Sequence, residues 1–166
     1  MRHTIKQGVM IRIAIIFMVV VVSGIVTISG MNQIRRHSEA TELATEINSL
    51  VLTAERAHYG WVENLCSAVA MGTEFTGSSD YQGCVLGKWL YGPERSKIQN
   101  EEILRLMEEM KPLHQAVHES ANQVLALRDT DQAAANEMYL NGTKADVVKL
   151  VAILDQVAAI TEQEVK

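Results

Sequence analysis

Four side chains in this sequence have the types and spacing for metal chemistry. Cys84 lies in the segment Cys84-Val85-Leu86-Gly87-Lys88-Trp89-Leu90, His58 lies upstream, and His114 and His118 lie downstream. One thiolate and three imidazoles are enough to close a tetrahedral zinc shell. Whether they converge depends on the elements that carry them.

Each of the four also has a plainer reading. His58 stands one heptad after Val51 and one before Leu65, so its ring is expected to point inward. An imidazole buried in an apolar seam is costly unless bonded, and a core histidine with one hydrogen bond meets that need too. Trp61 can wall a pocket beside it or be ordinary core, and Gly60 is expected to let another backbone come close. His114 and His118, at i,i+4, share one helix face with Cβ atoms about 6 Å apart, close enough to chelate one ion, although a solvated pair has the same spacing. The stripe Met107, His114, His118, Ala121 and Leu125 borders the core stripe, which argues against full exposure. Cys84 opens a short helix, where the dipole and unpaired amides favour a thiolate; the alternative is a buried structural cysteine. Cys66, two turns after His58, reads as a small core residue. Two cysteines make no disulfide framework, but Cys66 and Cys84 could pair in an oxidising compartment. Glu119 points about 100° away from His118 around the helix. No carboxylate stands at a fixed place to act as a base, so the chain is not expected to be an enzyme.

The elements that must position these groups read as all-α. Ile47, Val51, Ala54, His58, Trp61, Leu65 and Ala68 alternate spacings of four and three, a seam for side-by-side helix packing. This helix is predicted to run from about Gln33 to Gly72, a C-capping glycine. Residues 72–79 read as a loop, and a short helix follows from about Tyr81 to Tyr91, stopped at Gly92-Pro93. A long helix starts near Gln99 or Asn100 and runs to Arg128 with core stripe Ile103, Leu106, Met110, Leu113, Val117 and Val124. Pro112 is expected to kink it before the histidine pair. After the capping segment Asp129-Thr130-Asp131, a last helix from about Gln132 to the end packs through Met138, Val147, Val151, Leu154 and Ala158, weakened at Gly142. Three long helices plus the short one carrying the cysteine predict an antiparallel four-helix bundle.

Ahead of this bundle, Ile13 to Met31 form 19 residues without a charge, the length of a helix that crosses a bilayer. The run is longer than the apolar part of a cleavable signal peptide and has no clear Ala-x-Ala site, so an uncleaved anchor is expected. Arg2, Lys6 and Arg12 precede it; Arg35 and Arg36 follow. That one-charge excess predicts a cytoplasmic N-terminus and a periplasmic bundle, in a single-pass inner-membrane protein. The expected organisation is 1–12 cytoplasmic N-terminus, 13–31 transmembrane helix, and 32–166 helical sensor domain. From Asn32 onward, 12 basic side chains face 20 acidic ones, a formal charge of −8. Such a domain repels nucleic acid, and no nucleic-acid partner is expected.

Taken in order, Cys84-x-Leu86-Gly87-x-Trp89-Leu90, His58 with Trp61, and Pro112-x-His114-x-x-x-His118 resemble the bacterial chemoreceptor zinc-binding domain, over roughly Ile47 to Leu127. The resemblance implies a four-helix, usually dimeric fold that holds zinc through three histidines and one cysteine. Here those are His58, Cys84, His114 and His118, with the zinc-binding core at about 47–127. It also implies a role in chemotaxis or cyclic-nucleotide signalling, with zinc or oxidants such as hypochlorous acid as stimuli. Many such domains are cytoplasmic and adjoin a signalling module, whereas this one follows an apolar span. Two cases stay open, the sensor portion of a longer receptor and a free-standing anchored domain.

The function expected from the sequence is therefore a membrane-anchored zinc-binding sensory domain of a signal-transduction or chemoreceptor protein. Its expected partners are the inner membrane, a second copy in a homodimer, and a downstream signalling module. The competing expectation is a periplasmic four-helix-bundle receptor for a small organic ligand, with no metal.

Overall fold

All seven seam positions from Ile47 to Ala68 are buried, so the alternating spacing marks the inner face of a real helix. That helix, α1, spans Arg2–Met71. The structure is a computed structural model and describes residues 2–164, with side chains from Gln7 onward. Met1, in the expected N-terminal segment, and the last two residues, in the expected final helix, lie outside the described residues.

Four further helices follow: α2 at Val85–Tyr91, α3 at Glu101–Arg128, α4 at Gln132–Met138 and α5 at Lys144–Glu164. The described residues contain no strand. By contact the chain divides into two units, Met1–Leu43 and Ala44–Lys166.

In the first unit the apolar side chains from Val9 to Ile34 are exposed, Phe17 by 70%. Ser23 and Thr27 turn their hydroxyls back to carbonyls four residues earlier, on Val19 and Ser23, so no side-chain polarity in that turn goes unbonded. Among the described residues this is the one helix long and apolar enough to cross a membrane.

The second unit holds the core. Trp61, Val62, Leu65 and Val69 of α1 cluster with Val117, Ala121 and Val124 of α3, Ala135 of α4, and Val147 and Val151 of α5. Cross-helix hydrogen bonds fix the pairing: Thr161 Oγ1 donates to Asn48 Oδ1, Tyr139 Oη to the Val62 carbonyl, and Gln132 Nε2 to the Val69 carbonyl. α3 packs on α2, α4 and α5.

Helix ends follow their capping residues. Gly72 takes φ +68° and gives its N–H to the Ala68 carbonyl at 3.1 Å, closing α1 in the left-handed conformation glycine tolerates. Asn100 Oδ1 caps α3 by accepting from Glu102 and Ile103, and Asp131 caps α4 by accepting from Ala134.

Three expectations need correction. The short helix begins at Val85 rather than Tyr81, because 81–83 form a turn tied to Asp80 Oδ1 by the amides of Gln82 and Gly83. The last helix is two helices joined by a π-helical turn at Tyr139–Thr143, located at the predicted weak point Gly142. Gly60 faces open space, with nothing within 4 Å of where a Cβ would stand, so it admits no neighbouring backbone. Gly87 is crowded by its own preceding turn: an added Cβ would lie 1.9 Å from the Tyr81 carbonyl oxygen. α3 carries Pro112 inside it, with the ring exposed.

Candidate metal centre

Three elements of the second unit bring His58, Cys84, His114 and His118 together. One ligand atom from each lies within 4.8 Å of all the others. α1 supplies His58 from its buried seam. α3 supplies His114 and His118 from one face, with ring centroids 4.8 Å apart. Cys84 enters as the N-cap of α2.

Burial separates the four. His58, His114 and His118 are 3%, 0% and 2% exposed, while Cys84 is half-buried. Cys84 is thus the least buried member of the cluster. Its sulfur lies 3.2 Å from His114 Nε2 and accepts from the Gly87 amide at 3.2 Å.

The outward nitrogens show which atoms are left for a ligand. His58 Nδ1 bonds the Ala54 carbonyl at 2.7 Å, and His118 Nδ1 bonds the Ser78 carbonyl at 2.9 Å. Their Nε2 atoms are buried and have no hydrogen-bond partner among the described residues. A buried imidazole nitrogen without a partner is costly, and a cation among such nitrogens removes the cost. The donor set is that of a zinc site closed by protein ligands. With ordinary metal–ligand lengths, tetrahedral ligand atoms stand about 3.3–3.6 Å apart, so the cluster needs only a small contraction to enclose an ion.

Electrostatics agree with a site kept ready for a cation. Burial pushes all three imidazoles below their usual range, His114 to about 3, where burial leads and the neighbouring His58 and His118 add to it. They therefore stay neutral and able to donate lone pairs. The Cys84 thiol is raised by burial, which outweighs the opposing amides of Gly87 and Leu86; the thiolate expected from helix capping alone is not favoured without a cation. Asp80 lies near enough to act on both His118 and Cys84, and its negative charge would offset a cation between them.

Cys66 stands outside the cluster, and both cysteines are free thiols. Glu119 is turned outward and bonded to Gln115 at 2.7 Å. Sequence reasoning missed the Ser78 carbonyl and Asp80. A backbone carbonyl leaves no residue signature, whereas Asp80-x-x-Gly83 carries a turn signature that pointed to the geometry ahead of Cys84.

No curated protein and no solved structure matches the chain. With all four of these side chains inside it, the stretch 58–125 matches the family model of the chemoreceptor zinc-binding domain, and the chain carries a zinc-binding domain of that kind.

Proposed function

We propose that this protein is a membrane-anchored sensory domain of a bacterial signalling protein, with zinc held by His58, Cys84, His114 and His118. The observation that carries the reading is the pair of buried, unpartnered Nε2 atoms on His58 and His118 beside the Cys84–His114 contact. Zinc would supply a cationic centre that favours the Cys84 thiolate. Three neutral imidazoles and one thiolate leave a net charge of about +1 around a divalent ion, which a half-buried site with a nearby carboxylate tolerates.

Zinc or an oxidant is the proposed stimulus. Cys84 alone ties α2 to the imidazoles on α1 and α3. Hypochlorous acid would add its OH to the Cys84 thiolate sulfur and release chloride, and the sulfenic acid formed is a poor ligand. Losing that bond, or the ion itself, would release the Cys84 end of α2 from the imidazoles, while buried Leu86, Trp89 and Leu90 still hold the helix. His58 and the apolar run belong to the same helix, α1, which offers the change a route toward the anchor.

The proposed organisation is a cytoplasmic segment 1–12, a membrane span at 13–31 and a periplasmic domain from 32 onward. The proposed chain is single-pass in the inner membrane, dimeric, and coupled to a downstream module in chemotaxis-type signalling. The bundle reading has α5 antiparallel to α1 and to α3, supported by Asn48 with Thr161, Val62 with Tyr139, and Asn100 with Glu164. α1 and α3 would then run parallel, joined by the returning segment 72–100; Ala68 bonded to Arg128 and His58 beside His118 support this. The protein is proposed not to be an enzyme, because Cys84 fills the position a zinc-bound water would take.

Elemental analysis of the full-length protein, purified in detergent, tests the reading. About one zinc per chain is expected in the wild type and much less in His58→Ala. Wild-type protein free of zinc, and unable to take it up with both thiols reduced, overturns it.

A further inference from the structure

The three imidazoles differ in what grips the nitrogen turned away from the centre. His58 is held by Ala54, one turn back in its own helix. His114 has a buried Nδ1 with no hydrogen-bond partner among the described residues. His118 is held from outside its helix, by the carbonyl of Ser78, forty positions away in the loop between α1 and α2.

That carbonyl is shared. Ser78 O accepts from Trp61 Nε1 at 2.9 Å and faces His118 Nδ1 at 2.9 Å, so both its lone pairs are engaged. The loop is pinned a second time by Asn64, one turn after Trp61, whose Oδ1 accepts from the amides of Thr76 at 2.9 Å and Gly77 at 3.2 Å. Trp61 also lies against the His118 ring at 5.2 Å between centroids. Packing of that kind limits the ring's rotation but does not choose which nitrogen carries the proton. A carbonyl does choose, because it accepts only from an N–H.

We infer that Trp61 is a positioning residue for His118: its indole N–H fixes the Ser78 carbonyl, which holds His118 with Nδ1 protonated and Nε2 turned toward the other three ligands. The inference rests on the zinc reading above and assigns a role to a tryptophan that could otherwise be plain core. It also makes the loop around Ser78 part of the metal site, so the order of that loop and the occupancy of the site depend on each other.

The test uses the full-length chain in detergent micelles with zinc as the probe. Trp61→Phe keeps an aromatic ring and removes the N–H. Asn64→Ala loosens the same loop without touching any imidazole. Zinc affinity is read by competition with a chromophoric chelator, and the His118 tautomer by ring ¹⁵N NMR of the metal-free protein.

Trp61→Phe is expected to weaken zinc binding by about 10- to 100-fold, the usual effect of removing an outer partner of a ligand, and to give His118 a mixture of tautomers. Asn64→Ala is expected to act in the same direction, more weakly. Wild-type affinity in Trp61→Phe, or weakened binding with the His118 tautomer unchanged, overturns the inference while leaving the zinc reading in place. If Trp61→Phe does not fold, unaltered affinity and unaltered His118 shifts in Asn64→Ala overturn it instead. A wild type that takes up no zinc overturns both.

Discussion

The sulfur of Cys84 stands 3.2 Å from Nε2 of His114, thirty positions further along the chain. Cys84→Ser keeps the size and the capping role of this residue but replaces a thiolate by a neutral hydroxyl, a poor zinc ligand. Zinc affinity is expected to fall at least about 100-fold, since one of four bonds is lost from a site whose total binding energy is on the order of 10 kcal/mol. Chelator competition measures it; an unchanged affinity would place the ion elsewhere.

Metal-free protein should lose stability on acidification. In the unfolded chain histidine titrates near about 6.5. In the folded chain burial holds His58, His114 and His118 lower, His114 at about 3. Between those values the unfolded state binds more protons, so stability falls as pH drops through that window and gains nothing from these groups above it. Thermal melts in excess chelator should show Tm declining below about pH 6.5, and a decline that starts only where carboxylates titrate, near about pH 4, would contradict this.

Gly87→Ala is the sharpest backbone test. The added Cβ would meet the Tyr81 carbonyl oxygen at 1.9 Å and Gln82 Cα at 2.8 Å, so the turn before Cys84 must move. A cost of about 1–3 kcal/mol is expected, together with weaker zinc binding although every ligand is retained. Denaturant titration and zinc competition read the two effects. Gly60→Ala, with open space around its Cβ, is the control and should leave the site unaffected.

Leu154→Ala probes the core away from the cluster. Leu154 is fully buried in α5. Truncation is expected to cost about 2–5 kcal/mol, with zinc stoichiometry retained in whatever fraction stays folded. A cost under about 1 kcal/mol would mean α5 is not packed as described.

The helices were legible because their signals are local and repeated. The α1 seam from Ile47 to Ala68, the α3 stripe and the caps at Gly72, Asn100 and Asp131 each follow from residue type and spacing. The meeting of His58, Cys84, His114 and His118 was legible for a different reason: two of them already share a helix face, and the cysteine segment carries its own pattern. What escaped were relations without a residue signature. The Ser78 carbonyl is backbone, the obstacle at Gly87 is backbone, and the direction in which Gly60 faces depends on tertiary placement. The Cys84 thiol moved opposite to the helix-end expectation because burial, which the sequence does not quantify, outweighed the helix-end amides.

The π-helical turn at Tyr139–Thr143 has a consequence for insertions and deletions. Ala135, Tyr139, Thr143, Val147 and Val151 are buried at steps of four. In an unbroken α-helix each such step would drift about 40° around the axis. The wider turn takes back part of that rotation and keeps the row facing inward. Removing one residue there, at Gly142, would restore a regular helix and leave Leu150, Leu154 and Val157 facing nearly the same way, whereas one residue added within α5 would turn everything after it by about 100°. The surplus residue is thus absorbed within a single turn, and a chain shortened there should still assemble, while one lengthened inside α5 should not.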